Sequence, residues 1–170
     1  MPTSDPEGQS WAIERIAKTT TPVIVDIGPG EGTYSIIARH SRPSARWISV
    51  EIFEPYVHDY GLASKYDEVV VADARTYRFP DRPFTLLAGD VLEHMHHNEA
   101  VAFLNRAKSA ADEIMVSVPI IKFCQGQVDG NIHEAHLYHW GYEEMAAQLP
   151  GCESWRGNTV GRYWWRRESA

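Results

Sequence analysis

The sequence predicts an α/β fold, one domain built on a doubly wound, mostly parallel sheet. Three observations predict it. Short apolar runs rich in β-branched residues alternate with segments of helical period, the first run passes straight into a glycine-rich turn, and the runs end on polar residues. In such folds ligands bind at the carboxyl ends of the strands, so the residues at those ends bear most on function.

The elements follow in order. Residues 1–9 are polar, with Pro2, Pro6 and Gly8, and read as a flexible tail ahead of a domain over residues 10–167. Ser10 is the expected N-cap of a first helix, with Ile13, Ile16 and Ala17 on its apolar face. Val23 to Ile27 has the pattern of a buried strand. Helix is expected from Tyr34 to His40, strand from Trp47 to Val50, helix from Glu54 to Ala63, and strands at Glu68 to Val71 and Phe84 to Ala88. A helix capped by Asn98 runs to Ala110, and a strand from Ile114 to Val118 ends at Pro119. From Ile120 to His139 periodicity is lost, which predicts a long loop over the active edge of the sheet. A helix from Tyr142 to Gln148 and strands near Cys152–Trp155 and Val160–Trp165 complete the fold.

Length and composition narrow the function. A chain of 170 residues fits one domain, and at that size about 70% of the unfolded surface is buried. With 44% hydrophobic and 23% charged residues the composition is that of a folded protein, not a disordered one. The net charge of −7 gives no global footprint for nucleic acid, though a local patch can act alone. Cys124 and Cys152 lack the spacing of a zinc ribbon or a disulfide framework and are expected as small packing residues in a reducing cytoplasm. The N-terminus has no basic or apolar signal region, and no run approaches the ~20 apolar residues of a membrane span. A cytoplasmic protein away from membranes is the expectation.

The strongest signal is Val25-Asp26-Ile27-Gly28-Pro29-Gly30-Glu31-Gly32-Thr33-Tyr34, where glycines let a nucleoside ligand lie against bare backbone. Glu51 ends the next strand, about 20 residues on, where a carboxylate accepts from both ribose hydroxyls. Asp73 follows the third strand, placed to accept from an adenine amino group. A dinucleotide fingerprint needs GxGxxG, but position 33 is threonine and an acid, Asp26, precedes the first glycine by two residues. A negative charge there suits an ammonium and a sulfonium better than a pyrophosphate.

On these residues the chain resembles the class I S-adenosylmethionine-dependent methyltransferases. VDIGPGEG matches their first motif, Glu51 their ribose acid, Asp73 their adenine residue and Gly89-Asp90-Val91-Leu92-Glu93-His94 their segment after the fourth strand; the likeness spans roughly residues 10–165. It implies a Rossmann-like, seven-stranded sheet of order 3-2-1-4-5-7-6 with the seventh strand antiparallel. It also implies methionine contacts at Asp26, Gly28 and Gly30, adenosine contacts at Glu51 and Asp73, and a further contact at Asp90.

Six of the eight histidines fall in two groups, His94, His96, His97 and His133, His136, His139. His96, His97 and His139 are expected to face solvent. His94, past the fourth strand, and His136, in the covering loop, are the candidate bases for a methyl acceptor. Asp90, Glu93, His94 and His136 together resemble the metal site of the small-RNA 3′-end 2′-O-methyltransferases, and in part that of the ubiquinone-pathway O-methyltransferases. Asp90 stands where the former have glutamate, and the same local sequence also occurs in methyltransferases without metal. The sequence assigns no metal on this basis. Arg162-Tyr163-Trp164-Trp165-Arg166-Arg167 reads as an edge strand with its arginines outside, or as a surface for a nucleotide strand.

Three readings follow. The first is methyl transfer to an oxygen or nitrogen of a small molecule, with Phe123, Tyr138 and Trp140 lining a closed pocket. The others are metal-assisted 2′-O-methylation of RNA ends and a non-catalytic S-adenosylmethionine-binding domain. Oligomeric state leaves no trace in the sequence.

Overall fold

A computed structural model describes residues 5–168 of the chain. The strands are β1 (Val23–Ile27), β2 (Arg46–Glu51), β3 (Glu68–Val71), β4 (Phe84–Gly89), β5 (Glu113–Pro119), β6 (Glu153–Arg156) and β7 (Val160–Arg166). They form one sheet in the expected order β3-β2-β1-β4-β5-β7-β6, with β7 antiparallel to both its neighbours and every other pair parallel. The register aligns Ile27 with Val50 on one side and with Ala88 on the other, so the residues that follow them emerge along one edge.

The helices α1 (Gln9–Lys18), α2 (Thr33–Ala38), α3 (Glu54–Asp59), α4 (His97–Ala110) and α5 (Tyr142–Gln148) cover the sheet. Strand side chains alternate between two cores. Val25, Leu86, Val116 and Tyr163 pack with Phe103 and Leu104 of α4 and Met145 of α5. Ile24, Leu87, Met115 and Trp164 pack with Ile16 of α1 and Tyr34 of α2. Each such side chain, fully buried, contributes about 1.5–3 kcal/mol. Among the described residues no helix is long and apolar enough to cross a membrane.

Several elements differ from expectation, for local reasons. α1 starts two residues early, capped by Gly8 in a left-handed conformation (φ 73) instead of Ser10, so Ser10 lies inside the helix. The helix expected over 54–63 stops at Asp59, because Gly61 turns left-handed (φ 58) and a separate 3-10 turn follows at Leu62–Ser64. α4 is capped by His96, whose N–H donates to the Glu99 carboxylate at 3.1 Å, and not by Asn98.

β7 is not an edge strand, since β6 occupies the edge. Arg162 is fully buried, and only the far end of the basic and aromatic stretch is exposed, where Arg166 pairs with Glu113 and Glu153. The arginine is buried because the N-terminal segment closes over it. Its Nε and Nη2 donate to the carbonyls of Glu7 (2.8 Å) and Asp5 (2.6 Å), and Nη1 donates to the Tyr34 hydroxyl (2.8 Å).

The segment before α1 was expected as a flexible tail. Residues 1–4 of it lie outside the described residues, but Asp5 to Gly8 are fastened to the sheet. The Glu7 carboxylate accepts from the N–H groups of Asn158, Thr159 and Val160, from Asn158 Nδ2 and from the Thr159 hydroxyl. Those bonds hold its pKa down at about 2. Of the two cysteines, Cys152 packs against the core as expected, whereas Cys124 is exposed in the loop after β5.

Candidate active site

The carboxyl ends of β1, β2 and β4 open onto one cavity of about 720 Å³. Its glycine side is the turn after β1, fixed when the Gly28 N–H donates to the Val50 carbonyl of β2 at 2.9 Å. Gly28, Gly30 and Gly32 are all left-handed (φ 57, 52 and 82). At Gly28 a Cβ would also meet Val91 Cγ2 at 2.8 Å. Glycine is therefore required there both by the backbone and by the neighbouring segment.

Glu51, Asp73 and Asp90 line the same cavity. Glu51 is nearly buried and accepts from the Phe53 N–H at 2.8 Å; burial raises its pKa to about 7. Asp73 is held by the Arg75 guanidinium through Nε (3.0 Å) and Nη2 (2.7 Å), which keeps its carboxyl below the usual range. Asp90 has a left-handed backbone (φ 55), unusual outside glycine. One of its oxygens accepts from Ser117 Oγ and the other from the Asp5 N–H, both at 3.0 Å, and burial raises its pKa.

Asp26, expected to meet a ligand's ammonium, does not line the cavity. It falls on the same face of β1 as Ile24, beneath the glycine turn, because strand side chains alternate. There it is fully buried; Oδ2 accepts from the Tyr66 hydroxyl and Oδ1 has no partner. Desolvation raises its pKa to about 7.

Opposite the glycine turn, Glu93, His94 and His136 come together, with ligand atoms within 4.8 Å of one another. The loop after β5 delivers His136. The N–H groups of Leu137 and Tyr138 both donate to the Glu93 carbonyl, at 2.8 and 3.1 Å, which docks the loop beside the short turn that carries Glu93 and His94. His94 Nδ1 lies 3.2 Å from the Ala135 carbonyl and His136 Nδ1 lies 2.8 Å from the Phe123 carbonyl. A carbonyl only accepts, so each Nδ1 carries a proton and is the donor.

The two rings stand edge to face, their centroids 4.9 Å apart. Burial lowers the His94 pKa to about 4, so its ring is neutral near pH 7. Burial, followed by the nearby Asp90, pushes the Glu93 carboxyl well above its usual range, and Glu93 Oε2 has no hydrogen-bond partner. Asp90 is not part of this cluster, because Ser117 and Asp5 hold its carboxylate.

The remaining loop side chains are distributed differently from expectation. Phe123 lines the cavity, but Trp140 is fully buried in the core, and Tyr138 turns to a neighbouring hollow and donates to Glu144 at 2.6 Å. His97 lies over the Tyr138 and Trp140 rings instead of facing solvent freely. Arg75, Gln125, Glu134 and the N-terminal Asp5 and Pro6 also line the cavity and carry no local sequence signal.

No protein-family model matches the sequence, and no curated protein matches it. Many solved structures are similar. An O-methyltransferase family protein from Burkholderia thailandensis is 12% identical with a TM-score of 0.60; the match covers 96% of this chain and 57% of that one, so this chain spans little more than half its length. The N-terminal domain of EvdMO1 with SAH bound is 15% identical with a TM-score of 0.67, covering 98% of this chain and 82% of that one. Human N-acetylserotonin methyltransferase in complex with SAM is 13% identical with a TM-score of 0.64, covering 96% and 53%. The strand order, the glycine turn after β1 and these likenesses together identify the architecture as the class I S-adenosylmethionine-dependent methyltransferase fold.

Proposed function

We propose that the chain transfers a methyl group from S-adenosylmethionine to an oxygen of a small-molecule acceptor. The observation that carries this reading is that one cavity holds the glycine turn, the acids at the ends of β2, β3 and β4, and a pair of imidazoles whose Nδ1 atoms are held by loop carbonyls. The residues fit the cofactor. Gly28 and Gly30 present bare backbone to the cavity, Glu51 is positioned to accept from ribose hydroxyls, and Asp73 lies one strand further on for the adenine.

S-adenosylmethionine supplies the methyl group as a sulfonium, so the acceptor oxygen forms its bond to carbon as the carbon–sulfur pair departs to sulfur. The protein's task is to orient the acceptor and take up its proton. His94 Nε2 accepts a hydrogen bond from the acceptor hydroxyl and receives the proton late, when the oxygen has become acidic. His136 stands beside it as a second acceptor. The two free cysteines agree with a reducing cytoplasm as the place of action.

The Glu93, His94 and His136 cluster supports a second reading, in which transfer is metal-assisted. One carboxylate oxygen and two imidazole Nε2 atoms are a donor set for a divalent cation, and each Nδ1 is braced by a carbonyl as in metal-bound histidines. Such a cation would lower the pKa of an acceptor hydroxyl and orient it. In this reading the histidines are ligands and not bases.

The test is thermal unfolding with S-adenosylhomocysteine, with NAD as the control. A hundredfold excess over the dissociation constant adds about 2.7 kcal/mol of stability, and only the homocysteine nucleoside should shift the midpoint. Labelled methyl transfer with and without a chelator then separates the two readings. Loss with chelator and return with added Mn²⁺ or Mg²⁺ supports the metal. Cofactor binding without turnover across acceptors makes the chain a binding domain.

A further inference from the structure

The acceptor side of the cavity differs in kind from the cofactor side. Six large apolar side chains are exposed among the described residues, and four of them, Ile121, Phe123, Ile132 and Leu137, line this one cavity. Phe123 is 54% exposed and Leu137 48%. Apolar side chains gathered at one opening mark a place that an apolar partner covers. The Phe123 ring stands edge-on to His136 at 5.4 Å and His136 edge-on to His94 at 4.9 Å, so three rings in series lead from the opening to His94.

Charge then selects among apolar-bodied acceptors. Asp5, Glu51, Asp73, Asp90, Glu93 and Glu134 all line the cavity. Among the described residues its one arginine, Arg75, already donates to both Asp73 oxygens and to Glu99 Oε1 at 2.6 Å, and no lysine lines it. A phosphate, sulfate or carboxylate on the acceptor would meet a wall rich in acidic groups, where no described residue offers a free guanidinium or lysine ammonium.

We propose that the acceptor is an uncharged hydroxy compound with a flat apolar body, seated against Ile121, Phe123 and Leu137 with its hydroxyl at His94 and His136, and that phosphate-bearing acceptors, RNA ends included, are excluded. The proposal rests on the methyl-transfer reading for the reaction, but its claim about binding is measured separately.

The probes are 2-naphthol, 2-naphthyl phosphate and a short single-stranded RNA with free 2′- and 3′-hydroxyls, each titrated against protein saturated with S-adenosylhomocysteine. Naphthol fluorescence should change saturably, with an affinity at least tenfold above that of its phosphate ester. Phe123→Ala should weaken naphthol at least fivefold, whereas Ile36→Ala, at a 59% exposed position on α2, should not. Both sites are exposed, so both variants should fold. The proposal is overturned if the phosphate ester binds as tightly, if RNA binds with an affinity that falls steeply with salt, if naphthol does not bind, or if Phe123→Ala binds it like wild type. The homocysteine-nucleoside shift is recorded on the same samples. Its absence sinks the methyl-transfer reading, and its presence without naphthol binding sinks only the acceptor proposal.

Discussion

The Tyr66 hydroxyl donates to Asp26 Oδ2 at 2.5 Å, in a buried place beneath the glycine turn. Folding raises the Asp26 pKa from 3.8 to about 7, with desolvation as the main cause. The folded state thus binds this proton more tightly than the unfolded one, so the stabilisation is full below about pH 4 and is lost as pH rises through about 7. The melting temperature of the ligand-free protein should fall between pH 5 and 8. Asp26→Asn, which keeps an acceptor for Tyr66 and removes the charge, should reduce that slope, leaving the share of the other buried acids such as Glu51, and melt no lower than wild type at pH 8. A variant that keeps the wild-type slope would assign it to other groups.

Glu51 gives binding a pH dependence of the opposite sense. Its pKa is raised to about 7 by burial, and ribose hydroxyls donate to the ionised form. Calorimetric affinity for S-adenosylhomocysteine should therefore rise between pH 6 and 8. Glu51→Ala should weaken it by about 1.5–3 kcal/mol, the range for a hydrogen bond to a charged group. Unchanged affinity would remove Glu51 from the cofactor site.

His94 and His136 should matter for transfer and not for cofactor binding. His94→Ala is expected to slow methyl transfer about 10²- to 10⁴-fold, with affinity for S-adenosylhomocysteine within twofold of wild type. Because burial holds the His94 pKa at about 4, its ring keeps one protonation state from pH 6 to 8. A rate inflection near 6.5 that disappears in His94→Gln would contradict that environment.

Gly28 and Gly130 provide a matched pair. Both are left-handed (φ 57 and 81), but a Cβ at Gly28 meets Val91 whereas nothing lies within 4 Å of one at Gly130. Gly130→Ala should cost only the backbone term, about 1–2 kcal/mol. Gly28→Ala should lower the melting temperature further and weaken S-adenosylhomocysteine binding, both visible in one thermal titration.

What could be read from the sequence was what short stretches of chain decide. β1, β3 and α5 have the predicted bounds, because an apolar run or an amphipathic turn is a local property. The end residues Glu51, Asp73 and Asp90 follow from strand ends and reach the cavity together. Asp26 departs because the alternation of a strand, and not its position in a motif, decides which face a side chain takes. Arg162 departs because its three partners, Asp5, Glu7 and Tyr34, lie far away in the sequence. The proton positions on His94 and His136 depend on carbonyls of the covering loop, which no spacing reveals.

The clasp of Asp5 and Glu7 on Asn158, Thr159 and Arg162 joins chain segments more than 150 residues apart. Contacts of that separation are the slowest to form. During synthesis the chain emerges N-terminus first, so the parallel strands β1 to β5 are all available before the clasp has anything to hold. The wall that Asp5 and Pro6 lend to the cavity can therefore be completed only after β7 has left the ribosome. A nascent chain would have most of its sheet well before it has a finished pocket, and binding competence would come as one of the last events of folding.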